Sequence, residues 1–182
     1  MEQTRLAGDQ PTPLVATLIM SPSAQSYFNE LRKQHFPVGR NYLDAHLTLF
    51  HALPDTPRIL EDLGNFVKEQ QLFDVIAQTI VSLGNGTAIK IVSPELPLLY
   101  QKLQNNWFDI LTNQDRKKRN FHITIQNKVE PQAAKKLQAD LMQDFKPFHF
   151  TIHGIKLWRY LGGPWEYLTR FDFENVSKSD NA

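Results

Sequence analysis

Several features are missing from this 182-residue chain, and each absence removes a class of protein. The chain has no cysteine, which excludes disulfides, thiolate metal sites and a cysteine nucleophile. No apolar run approaches the roughly 18–20 residues that cross a bilayer. The first eleven residues lack the basic-then-apolar order of a signal peptide. The sequence therefore predicts a cytoplasmic protein with no membrane association.

A strong excess of charge is missing as well. The chain has 20 Lys and Arg against 19 Asp and Glu, a formal net charge of +1. This balance argues against binding long nucleic acid through bulk electrostatics, so any phosphate recognition must be local. One basic cluster, residues 116–119, is interpreted first as a solvated loop and second as a phosphate contact. With 41% hydrophobic residues, the chain can bury one core, so residues 1–182 are predicted to form a single domain.

Three common catalytic signatures are also absent. There is no glycine-rich phosphate loop before a Lys-Ser or Lys-Thr pair, no Gly-x-Ser-x-Gly, and no His-Glu-x-x-His. These absences argue against P-loop nucleotidases, serine hydrolases of the nucleophile-elbow type and zinc proteases.

Two tetrapeptides, His46–Leu49 and His122–Ile125, share one pattern of histidine, aliphatic residue, threonine and aliphatic residue. Successive side chains of a strand point to opposite faces. The histidine and threonine of each tetrad therefore share one face, while the aliphatic residues are buried on the other. Two imidazoles that face one cleft can act as general base and general acid near neutral pH.

A third stretch, Phe148–Ile152, carries the same pattern with His149 and Thr151. The order of elements decides between the three candidates. His149 follows His122 by 27 residues, much as Asp74 follows His46 by 28, so His149 corresponds to a position without a histidine. We therefore expect His46 to pair with His122 and His149 to lie outside the centre of the cleft.

Apolar periodicity and turn residues predict one order of elements in both halves of the chain. An Asn-Gly pair at residues 85–86 is a hairpin signal within the first half. Lobe-level repeats are placed at about 14–92 and 94–173, with polar termini at 1–13 and 175–182. The predicted elements are a strand from 14 to 20, a helix from 21, a strand at 46–53, a helix at 56–71, a hairpin at 73–92, a helix at 98–111, a strand at 121–128, a helix at 130–145 and a hairpin at 148–173.

The residue types favour an anionic, metal-free site. Zinc bound by His46 and His122 would need a third protein ligand, and neither tetrad contains a carboxylate, although Asp44 precedes the first. Threonine is a poor zinc ligand and a good hydrogen-bond donor to a phosphate oxygen. No metal and no cofactor are therefore expected.

The paired tetrads, about 75 residues apart within a duplicated order of strands and helices, resemble those of the 2H phosphoesterase superfamily. That group includes bacterial RNA 2′,3′-cyclic phosphodiesterases, also called 2′-5′ RNA ligases. The resemblance covers roughly residues 14–173 and implies an α+β fold of two lobes related by a pseudo-twofold axis. Each lobe would be a β-sheet flanked by helices, and a cleft would lie between the lobes.

The same resemblance implies roles for the four tetrad residues. One of His46 and His122 would activate water or a hydroxyl, and the other would protonate the leaving oxygen. Thr48 and Thr124 would hold the non-bridging phosphate oxygens. We expect the nearest nitrogens of the two imidazoles to lie about 5–8 Å apart, since one phosphate must reach both.

The expected activity is metal-independent opening of 2′,3′-cyclic phosphate RNA ends, or of a related small nucleotide phosphodiester, by a monomer. Two alternatives stay open: 2′-5′ ligation, which is the reverse reaction, and a non-catalytic RNA- or nucleotide-binding module. Six further residues are candidates for substrate binding at the cleft mouth: Arg40, Tyr42, Phe50, Arg159, Tyr160 and Trp165.

Overall fold

The computed structural model describes residues 12–175, so the predicted polar termini at 1–13 and 175–182 lie almost entirely outside the described residues. Within this range, seven strands and four helices follow one another in the predicted order. Their bounds are β1 Leu14–Met20, α1 Pro22–His35, β2 Leu47–Leu53, α2 Pro57–Phe66, β3 Phe73–Ser82, β4 Thr87–Val92, α3 Glu95–Trp107, β5 His122–Gln126, α4 Pro131–Asp144, β6 Phe148–Tyr160 and β7 Trp165–Asp172.

Proline marks the start of three of the four helices in the described part of the chain. Pro22, Pro57 and Pro131 each occupy the first turn, where the missing N–H costs nothing and the fixed φ angle suits the helix. Helix α1 ends after His35 because Pro37 disfavours helical geometry in the residue before it. These local signals explain why the helix boundaries follow the sequence closely.

The strands form one antiparallel sheet in the order β1-β2-β5-β4-β3-β6-β7, and β6 also pairs with β1. Six strands therefore close into a ring, and β7 extends from β6. In the ring, β5 lies between β2 and β4, and β6 lies between β3 and β1, so the two lobes share hydrogen bonds instead of standing apart. The predicted α+β class with a duplicated, two-lobed arrangement is confirmed.

Strand pairing suggests how the two halves correspond. β1 pairs with β2 as β4 pairs with β5, and β3 and β6 pair with each other. We propose that β4 opens the second repeat, whereas the sequence division at residues 92 and 94 assigns this strand to the first. The unit β1-α1-β2-α2-β3 would then be repeated as β4-α3-β5-α4-β6.

The core lies between the helices and the face of the sheet that carries the aliphatic tetrad residues, such as Leu47 and Ile123, both 0% exposed. Phe50, a candidate for substrate stacking, belongs to this core and not to the cleft. Its ring is 0% exposed and lies 4.9 Å from the ring of Tyr100 and 5.3 Å from that of Trp107. The candidate is wrong because β2 bulges after Thr48, and the extra residue turns Phe50 toward the helices.

A buried carboxylate fixes the basic loop that leads into β5. The side chain of Asp115 is 0% exposed and accepts hydrogen bonds from the backbone N–H groups of His51 at 3.0 Å and Ala52 at 2.9 Å. It also pairs with Arg119 at 3.4 Å, and the Tyr100 hydroxyl donates to the Asp115 carbonyl. Arg119 is thus part of the scaffold that joins β2 to the loop before the second tetrad.

Asp115→Ala is expected to lower the free energy of unfolding by about 3 kcal/mol, because two partly buried backbone amides and a partly buried guanidinium lose their acceptor. Urea denaturation measures the effect. Asp140→Ala removes an exposed carboxylate that pairs with Lys136 and is expected to cost about 0.5 kcal/mol or less. Equal losses in the two variants would contradict the structural role given to Asp115.

Candidate functional site

Both tetrad histidines are held in the same way. Nδ1 of His46 donates to the carbonyl of Asp44 at 2.8 Å, and Nδ1 of His122 donates to the carbonyl of Asn120 at 2.9 Å. In each case the acceptor is the backbone carbonyl two residues earlier. The two halves of the chain therefore share the hydrogen bond that orients the ring. A proton fixed on Nδ1 leaves Nε2 of each ring as the atom available for proton transfer.

The register between β2 and β5 brings the two tetrads side by side. Leu47 pairs with Ile123 in antiparallel orientation, which puts His46 opposite Thr124 and Thr48 opposite His122. Side chains directly opposite have Cβ atoms about 4.5–5.5 Å apart, and diagonal neighbours such as the two histidines lie about 7–8 Å apart. Each imidazole therefore has a threonine hydroxyl as its cross-strand neighbour and the other imidazole on the diagonal.

A groove of about 590 Å³ adjoins one side of this pair of strands, and neither Thr48 nor His122 is among its lining residues. His46 and Thr124 both line it, with Trp165 and residues of the loop that follows α1. A smaller depression of about 100 Å³ shares Leu43, His46 and Trp165 with the groove, and Thr17, Lys156 and Trp158 also line it. Trp158 Nε1 donates to the Thr17 hydroxyl at 2.9 Å. His46 thus lines both a long groove and a small pocket.

The ring of His46 is one of two strongly perturbed titratable groups at this site. The indole of Trp165 lies 4.7 Å from it, centroid to centroid. The pKa of His46 is lowered to about 4, chiefly by burial and also by the nearby Arg32 guanidinium and the imidazole of His122, while the hydrogen bond to the Asp44 carbonyl opposes the shift. His46 is therefore neutral at pH 7, with Nε2 free to accept a proton.

This pKa makes stability depend on pH. The unfolded chain binds a proton at His46 below about pH 6.5 while the folded chain does not until about pH 4. The stabilisation is thus complete above pH 6.5 and is lost as the pH falls toward 4. We expect the free energy of unfolding to drop more steeply over this range in the parent than in His46→Gln, by at most about 1.4 kcal/mol per pH unit. Parallel slopes in urea denaturation would contradict the assignment.

Arg32 is a residue of the site that the sequence interpretation missed. Its side chain is only 3% exposed, and its Nη1 donates to the carbonyl of Thr124 at 2.8 Å while Nη2 donates to Oδ1 of Asn41 at 3.1 Å. Burial lowers its pKa to about 10, which leaves it charged at neutral pH. The signal in the sequence was a cation four residues after Phe28 on the buried stripe of α1.

Three of the six peripheral candidates come together and three do not. Arg40, Tyr42 and Trp165 line the long groove with His46. Arg159 and Tyr160 line neither the groove nor the small pocket, and Phe50 is buried in the core.

Arg159 and Tyr160 lie where the sheet carries them away from the tetrads. Arg159 is opposite Leu14 at the far end of β1. Its Nε donates to Asp55 at 2.8 Å and its Nη1 lies 3.5 Å from Glu166. Its guanidinium therefore forms ion pairs with two carboxylates, and its role is structural. Tyr160 is exposed and pairs with Trp165 in the β6–β7 hairpin.

His149 also lies apart from the tetrad pair. It is opposite Ile76 of β3, and it lines a separate depression with Ser23 and Tyr27 at the start of α1. This placement agrees with the expectation drawn from the repeat.

Two general features of residues 12–175 complete the description. No group of three or more His, Asp or Glu side chains is arranged there to hold a metal ion. No helix in that range combines the length and apolar character of a membrane span.

Comparison with known proteins identifies relatives of this fold. Residues 20–164 match the family model of the 2′-5′ RNA ligase superfamily, while no curated protein sequence matches the chain. Among solved structures, TT0787 of Thermus thermophilus superposes with a TM-score of 0.63 at 14% identity. A phosphoesterase gives 0.60 at 15%, and E. coli LigT complexed with 3′-AMP gives 0.60 at 14%. Each match covers 91% of this chain and 100% of the other.

Proposed function

This chain belongs to the 2′-5′ RNA ligase superfamily, and from that premise we propose that it hydrolyses 2′,3′-cyclic phosphates at RNA ends or on related nucleotides without a metal ion. One observation carries the proposal. The register Leu47–Ile123 sets two imidazoles and two threonine hydroxyls on adjacent strands, with both Nδ1 atoms committed to backbone carbonyls. Two proton-transfer groups and two neutral donors suit a phosphodiester better than a carbonyl or a metal-bound substrate.

The proposed reaction transfers one proton from water to His46 and one proton from His122 to the leaving ribose oxygen. Nε2 of His46, neutral because the pKa of this residue is lowered to about 4, takes a proton from water as the water oxygen bonds to phosphorus. The bond from phosphorus to one ribose oxygen breaks, and Nε2 of His122, as the general acid of the mechanism, donates a proton to that oxygen. The product is a phosphate monoester, and proton exchange with solvent restores both rings.

Thr48 and Thr124 are proposed to donate hydrogen bonds to the non-bridging oxygens. Their benefit is largest in the transition state, when the charge on those oxygens grows. Arg32 fixes the backbone of Thr124 through the hydrogen bond to its carbonyl and adds positive charge beneath the groove. The structure of E. coli LigT with 3′-AMP supports the proposal, since 3′-AMP is a nucleotide monoester of the kind that this reaction releases.

A substrate panel tests the proposal. The purified chain is incubated with 2′,3′-cyclic AMP, a cyclic-phosphate dinucleotide and 3′,5′-cyclic AMP, with and without EDTA. We expect hydrolysis of the 2′,3′-cyclic substrates in EDTA. The pH profile of kcat/KM should be bell-shaped, with its acidic limb near pH 4 and not near 6.5, because it reports the free enzyme. Loss of activity in EDTA, restored by zinc or manganese, would contradict the metal-independent mechanism.

The same panel separates the two alternatives. Ligation would appear as a longer product when an oligonucleotide with a 5′-hydroxyl is added to the cyclic-phosphate end, because it reverses the same proton transfers. A non-catalytic binding module would bind the dinucleotide and leave every substrate intact.

A further inference from the structure

The long groove at His46 has an unusual lining. Three of its residues are cations, Arg32, Arg40 and Lys128, and none is a carboxylate. The chain as a whole is almost balanced in charge, with 20 Lys and Arg against 19 Asp and Glu. Asp44 is close enough to Arg32 to raise its pKa, but Asp44 lines the small pocket and not the groove. The groove is therefore a local concentration of positive charge beside His46 and Thr124.

The two exposed cations come from different loops and lie close together. Arg40 lies on the loop after α1, and Lys128 lies on the turn after β5. Nη1 of Arg40 reaches the carbonyl of Lys128 at 3.5 Å. Both side chains are exposed at the groove, where an anion could contact them without displacing an internal ion pair.

The turn at Lys128 holds this residue in a conformation that lysine seldom adopts. Its φ angle is +58°, in the left-handed region, and its N–H donates to Oδ1 of Asn127 at 2.8 Å. Few non-glycine residues adopt this backbone conformation, and those that do cluster at active sites and ligand-binding positions. Asn127 itself lines the groove, so an amide stands beside the two cations.

The third cation supplies charge from beneath. Arg32 is almost completely buried, and its Nε has no hydrogen-bond partner. Above it the groove is lined by aromatic rings, among them Phe36 and Tyr42, the latter 58% exposed. Positive charge together with accessible rings is the combination that binds single-stranded nucleic acid, because phosphates meet the cations and bases stack on the rings.

We propose that this groove is a subsite for the phosphate on the 5′ side of the reacting nucleotide. The inference rests on the proposed function, since the tetrads would hold the cyclic phosphate on the 3′ side. Arg40 and Lys128 bind the second phosphate, and Tyr42 stacks on the neighbouring base where one is present. The preferred substrate is thus a nucleotide with two phosphate groups, either an RNA end or a 5′-phosphorylated nucleoside cyclic phosphate, and not a lone nucleoside cyclic phosphate.

Three substrates of increasing size test the subsite: adenosine 2′,3′-cyclic phosphate, its 5′-phosphorylated form, and the dinucleotide ApA with a 2′,3′-cyclic phosphate. We expect kcat/KM to be about tenfold higher for the second and third than for the first, with the advantage falling as salt is added. A further gain for the dinucleotide would identify an RNA end as the source of the phosphate. Equal values for the last two would identify a 5′-phosphorylated mononucleotide.

Variants tie the preference to the groove. Arg40→Gln and Lys128→Asn each remove one charge, and asparagine tolerates the left-handed backbone of residue 128. Each is expected to lower the ratio of kcat/KM for the dinucleotide over the mononucleoside by about threefold or more. Lys33→Gln removes a charge from an exposed position of α1 that does not line the groove, and it should leave the ratio unchanged.

Binding of products separates this inference from the proposed function. Calorimetry measures the affinities of adenosine 3′-phosphate and ApA 3′-phosphate in the absence of catalysis. The dinucleotide should bind about tenfold more tightly because it also contacts the groove. If none of the three cyclic substrates is hydrolysed but this difference is found, the subsite stands and the proposed hydrolysis is wrong. If the mononucleoside and the dinucleotide are equal in both hydrolysis and binding, or if Lys33→Gln changes the ratio as much as Arg40→Gln, the subsite is wrong.

Discussion

Replacing His46 or His122 by alanine is expected to lower kcat/KM for a 2′,3′-cyclic nucleotide at least about a hundredfold, the low end for loss of a general acid or base. The two rings have equivalent hydrogen bonds to backbone carbonyls and lie diagonally across the same pair of strands. Each replacement removes one of the two proton transfers and leaves the other intact. The double variant should therefore be little worse than either single one, because the groups act as a unit.

His149→Ala is the matched control for this experiment. It removes a third histidine from the same sequence pattern, but that histidine lines a different depression. Turnover should stay within a few-fold of the parent, and stability should fall by at most about 1 kcal/mol. Circular dichroism and urea denaturation verify that all four variants, the double one included, are folded. Damage from His149→Ala equal to that from His122→Ala, with folding intact, would show that the correspondence between the halves is wrong.

Thr48→Val and Thr124→Val are expected to lower kcat by about ten- to a hundredfold while KM changes little. Valine keeps the β-branched shape that suits a strand and removes only the hydroxyl. A donor aimed at a phosphate oxygen contributes most as negative charge develops there, so its loss appears in kcat and not in ground-state binding. Steady-state kinetics on the cyclic dinucleotide measure both parameters.

Thr48→Ser and Thr124→Ser complete the comparison. Serine keeps the hydroxyl, and these variants should recover most of the activity that valine loses. A serine variant as impaired as its valine counterpart would indicate that the methyl group matters and that the hydroxyl does not bind phosphate.

The sequence was most informative where a short-range signal coincides with a structural requirement. Pro22 and Pro131 begin helices, Gly86 closes a hairpin, and the tetrads alternate as half-buried strands must. The identity of the pair also followed from order alone, because His149 corresponds to Asp74 and not to a histidine. These features depend on neighbours in the chain and so could be predicted.

The rest depends on partners distant in the chain. Nothing local indicates that β6 pairs with both β1 and β3 and closes the ring. The bulge after Thr48 reverses the direction of Phe50, and a one-residue slip of this kind is invisible to a period-two pattern. Arg159 was a candidate for phosphate binding in the sequence, but its guanidinium pairs with Asp55, which lies 104 residues away in the chain. Arg32 was overlooked for the converse reason, since its acceptor is the carbonyl of Thr124, 92 residues away.

The central claim is that one phosphate is held between the two tetrads, and a crystal structure with adenosine 3′-phosphate tests it most directly. The account predicts that oxygens of the 3′-phosphate lie within about 2.6–3.2 Å of Nε2 of both His46 and His122. The hydroxyls of Thr48 and Thr124 should contact the remaining oxygens, and the two nearest histidine nitrogens should be about 5–8 Å apart. A phosphate bound instead by the basic loop at residues 116–119, with both imidazoles free of ligand, would contradict it.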